Sequence, residues 1–175
     1  MFQAVVSRPD SSEYGEHYAE YVRIVRDGDI RKTLLSQLED TLVTLRALTP
    51  EQTFLRYAAG KWSIREVLGH IIDAERIFAY RALRFARNDQ TPLHGFEQDG
   101  YIAPARFDER PFENLLEEFE TVRRCTLLLL GGFDEAAWQR RGVASGAEIT
   151  VRALAYVIAG HELHHMNIVR QRYLK

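Results

Sequence analysis

Apolar positions recur at helical spacing in four long stretches, and no stretch shows a convincing strand alternation. In residues 29–48, Ile30, Leu34, Leu38, Leu42 and Leu45 share one face, and Pro50 follows the end. The second stretch begins sharply, because Ser63-Ile64-Arg65-Glu66 is a capping box with Trp62 and Val67 placed as a hydrophobic staple. Its pattern continues to residue 88. The third, residues 111–130, opens on Pro111 and closes on Gly131-Gly132. The fourth, residues 150–174, has Thr150 as its cap. The spacing therefore predicts an all-α fold, a four-helix bundle with long crossover links. Residues 89–110 form one link, carrying Pro92, Gly95, Gly100 and Pro104, and a link of that length is more often functional than incidental. Residues 131–149 form another, with a short helical turn expected around residues 134–138. Residues 1–28, with Tyr14, Tyr18 and Tyr21, are expected to pack on the bundle as an N-terminal extension, leaving 29–175 as the bundle domain.

The fourth stretch also carries the chemistry. In Gly160-His161-Glu162-Leu163-His164-His165, three of the six histidines fall within five residues. At 100° per residue, Val151, Leu154, Val157, Ile158, Ile168 and Val169 define an apolar stripe. His161 and His165 lie near its middle, and His164 lies on the flank, expected either behind the ligands or at the surface. Two core-facing imidazoles one turn apart are costly unless hydrogen-bonded or ligated, and neutral imidazole is the commonest metal ligand. Bundles build such sites from facing helices, and the best third ligand is His70, at the border of the second helix's apolar face. Gly69 and Gly160 stand beside candidate ligands. Each costs roughly 1 kcal/mol against alanine inside a helix, which implies either the close approach of a ligand or backbone, or simple helix packing.

Composition narrows the class. The chain has 175 residues, 46% hydrophobic and 27% charged, enough for one domain with a sizeable core. A net charge of −2 gives no electrostatic footprint for nucleic acid or an anionic membrane. No apolar run suffices to span a bilayer. Met1-Phe2-Gln3-Ala4-Val5-Val6 lacks the features of a signal peptide. A single cysteine, Cys125, excludes an intrachain disulfide and fits a cytoplasmic location. On its helix it is expected as a buried structural thiol.

Three blocks then resemble the DinB/YfiT-like superfamily of small metal-binding bundles: residues 60–73, GKWSIREVLGHIID; residues 95–101, GFEQDGY; and residues 160–165, GHELHH. Element order and spacing agree from residue 29 to the C-terminus. The resemblance implies one metal-binding histidine on the second helix and two at i, i+4 on the last. These are His70, His161 and His165 here, the pair on the last helix being the one the helical wheel selects. It also implies a homodimer, and two activities: transfer of a low-molecular-weight thiol, or metal-dependent hydrolysis.

Three neutral imidazoles leave an open position on a divalent metal, at which a water or thiol is activated. Zinc and nickel suit the set best, with iron and manganese also open. The leading expectation is a metal-dependent thiol S-transferase, whose partner is a small-molecule thiol or other small substrate, with neither nucleic acid nor membrane involved. The alternatives are a small-molecule hydrolase or a non-catalytic metal-binding protein. His161-Glu162-Leu163-His164-His165 also reads H-E-x-x-H, which makes Glu162 a candidate general base. A protease is disfavoured, because no third ligand follows His165 and no strand is evident to pair with a peptide. Arg81 and Arg84 are candidates for a substrate carboxylate, against pairing with acidic residues of the following link. Asp99 and Tyr101 could line the pocket, against turn and packing roles. Trp62 and Tyr80 are expected in the core; His17 and His94 have no assigned role.

Overall fold

In the computed structural model, residues 5–175 are described. The first four residues, part of the leading segment read above, lie outside them. The helices are α1 (Ala19–Ile24), α2 (Ile30–Arg46), α3 (Ile64–Ala86), α4 (Asp99–Ala105), α5 (Phe112–Gly131), α6 (Glu135–Gln139) and α7 (Val151–Ile168). A hairpin of β1 (Arg141–Ala144) and β2 (Ala147–Thr150) precedes α7, which ends in a π turn, Val169–Tyr173. Local chemistry sets the boundaries. Asp29 caps α2, Thr150 caps α7, and both hydrogen bonds of the Ser63–Glu66 capping box form at α3. Among the described residues no helix is long and apolar enough to cross a membrane.

The four long helices form a bundle in which α2 packs on α5 and α7, and α3 packs on the same two. Helices α2 and α3 follow one another in sequence yet stand diagonally opposed, which the long connections permit. The N-terminal segment enters the core: Tyr18, Val22 and Val25 are buried in the same apolar cluster as α7. Arg8 ties this segment down by donating to the carbonyls of Val22 and Val25. The approach is close enough to explain Gly160, since a Cβ there would stand 2.1 Å from the carbonyl oxygen of Tyr21. Gly69 lies beneath the ring of Phe107, 2.4 Å from where its own Cβ would be. Both glycines therefore serve packing.

Four features depart from the sequence reading. The hairpin is the first: Ser145 and Gly146, with φ of 53° and 79°, make the tight turn, and Arg141 pairs with Thr150. Its strands are too short for period-2 alternation to stand out. The link 89–110 is not a bare loop, for it contains α4 and a 3-10 turn, Phe107–Glu109. Cys125 is exposed, not buried; the buried face of α5 is set by Leu115, Phe119, Arg123, Thr126 and Leu130, and position 125 falls off it. Tyr80 is 50% exposed, its hydroxyl accepting from Arg84, so it is no core residue.

A polar clasp crosses the bundle. Arg123 of α5 is fully buried and donates Nε and Nη2 to Glu75 of α3 at 2.9 and 2.8 Å. Its Nη2 also reaches Glu162 of α7 at 2.7 Å, and Nη1 reaches the Leu34 carbonyl of α2 at 2.9 Å. Thr41 of α2 donates to the other Glu162 oxygen at 2.7 Å. One guanidinium thus joins all four long helices. Burial works against its charge, but the two carboxylates hold its pKa above the ordinary arginine value.

Candidate metal centre

His70 on α3 faces His161 and His165 on α7. The Nε2 atoms of His70 and His161 are 2.9 Å apart, and one nitrogen from each of the three rings lies within 4.8 Å of the others. These three form a cluster with metal-ligand spacing among the described residues. Nitrogens bound tetrahedrally at 2.0–2.1 Å stand about 3.4 Å apart, within the spread the cluster shows. The walls are aromatic: the Trp62 ring lies 4.9 Å from His70, and Tyr21 and Phe78 lie 5.5 and 5.8 Å from His161.

Electrostatics favour lone pairs over protons. Burial pushes His70 down to about 4 and His165 to about 3, and holds His161 well below the ordinary histidine value. The neighbouring histidines add to the effect at His161 and His165, while the charge of Asp99 opposes it at His70. All three are neutral at pH 7, the state a metal needs. Three neutral nitrogens, converging from two helices in an aromatic setting, suit a divalent transition metal.

His165 is the least buried of the three and lines a cavity of about 390 Å³ together with Lys61, Trp62, Asp99, Tyr57 and Tyr173. The π turn shapes its floor, with the Tyr173 hydroxyl donating to the Trp62 carbonyl at 2.8 Å. Burial pushes Tyr173 up to about 12, which keeps it a donor. A second cavity, of about 290 Å³, reaches His161 from the other side and touches Arg81.

The remaining sequence candidates separate clearly. Asp99 lines the larger cavity. Tyr101 is 45% exposed, its ring packed on Phe96 at 5.6 Å. Arg84 is held by Asp89 of the link. Glu162 is spoken for: both its oxygens are engaged in the clasp, and it is only 1% exposed. Its expected role as general base is corrected on that ground, because it faces α2 and α5 while its neighbour His161 faces α3. His164 sits on the flank, its ring 5.1 Å from His165 and 5.6 Å from Tyr21, outside the ligand cluster. Trp62 is a half-buried cavity wall. Tyr57, Lys61 and Tyr173 went unnoticed in the sequence, since no local pattern marks residues that meet only through the bundle's end. The Arg123 clasp was legible in principle, as a charge on the Phe119–Leu130 stripe.

The sequence matches the DinB superfamily profile over residues 33–169, and so over most of the chain. A protein of Oceanobacillus iheyensis, named as a candidate metal-dependent hydrolase, is 27% identical over 126 residues, which span 70% of this chain and 71% of that one. YfiT from Bacillus subtilis, described as a probable metal-dependent hydrolase with an unusual four-helix bundle topology, superposes with a TM-score of 0.68. That match has 16% identity and covers 93% of this chain and 91% of YfiT. The two chains share this fold over nearly their whole lengths. Profile, fold and histidine geometry agree, and the chain belongs to the DinB superfamily.

Proposed function

We propose that this protein is a divalent-metal-dependent enzyme acting on a small molecule, and that hydrolysis is the reaction its surroundings favour. One observation carries the reading: His165 belongs both to the histidine cluster and to the wall of the larger cavity, so the centre faces substrate-sized space beside a carboxylate. His70, His161 and His165 would hold the ion, with zinc or nickel preferred. Such an ion supplies Lewis acidity, lowering the pKa of a water or thiol at its open position. Trp62 and Tyr173 shape the cavity, and Asp99 is placed on its wall to accept a proton from an attacking water. Lys61, on the same wall, offers a cation to an anionic group. The names of the two relatives support hydrolysis.

Thiol transfer is the second reading. Cys125, the sole cysteine, is exposed on α5 and contributes nothing to the cavity. A thiol nucleophile would therefore come from a free low-molecular-weight thiol in place of water.

The test is metal content after untagged purification, followed by turnover of small amides and esters with and without added thiol. Near-stoichiometric transition metal in the wild type, lost in His70→Ala and His165→Ala, is expected. Thiol-independent turnover that falls about 10²–10⁴-fold in Asp99→Asn, with metal retained, is the signature of the hydrolytic reading. Turnover only with thiol would replace hydrolysis by transfer, and a wild type that takes up no metal would end both.

A further inference from the structure

Two arginines are almost wholly buried, and they are treated differently. Arg123 is 0% exposed and clasped by two carboxylates; Arg81 is 2% exposed and has none among the described residues. The Arg81 fork meets only neutral oxygens: the Tyr18 hydroxyl at 3.2 Å, the His94 carbonyl at 3.0 Å and Ser145 Oγ at 3.1 Å. The rings of Phe78 and Phe96 flank it at 5.8 and 5.9 Å. A guanidinium does not shed its proton inside a protein, and a buried charge without a counter-charge is costly. Yet three separate segments converge to orient this one: the turn before α1, the link after α3 and the tip of the hairpin. Arg81 also lines the smaller cavity, whose lining includes His161.

We propose that Arg81 anchors a binding site for the carboxylate of a small molecule in this cavity. Neutral acceptors take three of the five N–H donors and orient the guanidinium, which leaves Nε–H and one Nη1–H to meet an entering carboxylate that supplies the missing negative charge. A singly charged planar group is favoured over phosphate, because Glu97 also lines the cavity and opposes a second negative charge. Since the cavity reaches His161, a molecule held by its carboxylate directs its remainder toward the histidine cluster. That this molecule is the substrate rests on the proposed metal-dependent function; the carboxylate site itself rests on Arg81.

The experiment uses butyrate and its neutral isostere butyramide, titrated into the full-length protein with and without zinc. Binding is followed by thermal shift and by the NMR signals of the arginine Nε–H groups. Saturable butyrate binding is expected, with no matching effect of butyramide. Affinity should fall about tenfold or more in Arg81→Lys, which keeps the charge but loses the fork, and the discrimination between the two ligands should vanish in Arg81→Gln. Zinc content should be unchanged in both variants. Should they fail to fold, the wild-type Arg81 Nε–H signal decides, moving with butyrate and not with butyramide. Equal binding of the two ligands, undiminished butyrate affinity in a folded Arg81→Gln, or preference for inorganic phosphate would overturn the site. A protein that binds butyrate but takes up no zinc would sink the metal-dependent function and leave the carboxylate site standing.

Discussion

Replacing Arg123 by methionine should be among the most damaging single changes in the core. The substitution keeps much of the volume but removes the positive charge that, among the described residues, pairs with both Glu75 and Glu162, each 2% exposed or less. Three charge-assisted bonds of 2.7–2.9 Å are lost, along with the bond to the Leu34 carbonyl, and two buried carboxylates are left facing each other. Breaking a buried pair in this way costs about 3–5 kcal/mol. At about 2–4 °C per kcal/mol for a chain of this size, the melting temperature should fall by roughly 6–20 °C. Scanning calorimetry on the metal-free protein measures this directly. A control separates the cost of stranded charge from loss of packing: in the triple variant Arg123→Met, Glu75→Gln, Glu162→Gln no charge is stranded, and most of the loss should be recovered. Glu162→Gln alone should lower stability while leaving zinc stoichiometry intact, as befits a clasp residue. An Arg123→Met protein melting within about 2 °C of wild type would refute the clasp.

Other outcomes follow from the same structure. The cluster histidines are held neutral by burial, with folded pKa values below the unfolded one, so the unfolded chain takes up protons first as pH falls. Stability of the metal-free protein is complete above about pH 6.5 and is lost as pH drops toward the folded values, by about 2 kcal/mol at pH 5 for His70 alone. A melting temperature flat between pH 7 and 5 would rule this out. Gly160→Ala drives a Cβ onto backbone of α1 and should destabilise by about 1–3 kcal/mol with zinc binding retained. If it instead melts like wild type but loses zinc, the glycine serves the metal site and not the packing.

Most of the bundle was legible because its signals are local. The apolar stripe of Ile30, Leu34, Leu38, Leu42 and Leu45, the Ser63–Glu66 capping box and the Thr150 cap each state a helix within a few residues. His161 and His165 were equally legible, since a spacing of four places them on one face whatever the helix packs against. The hairpin was missed because four-residue strands offer too little periodicity, although Ser145-Gly146 is a turn signal. Cys125 was misplaced because a neighbouring run of leucines suggested burial, whereas helical phase put it in water.

The fate of Glu162 and Arg81 lay beyond local pattern. H-E-x-x-H specifies which residues are neighbours along a helix, not what stands opposite them. Only the packing of α2 and α5 against α7 turned Glu162 into the partner of Arg123 and Thr41. Likewise, three distant segments meet at Arg81, and three more place Tyr57, Asp99 and Tyr173 around one cavity. The sequence by itself determined the helices, their buried faces and the histidine pair on α7, because these depend on spacing within one element. Tertiary structure alone decided which charges are neutralised, which cavity the histidines face and how closely His70 approaches the pair on α7, because burial and convergence are properties of surfaces brought together by packing.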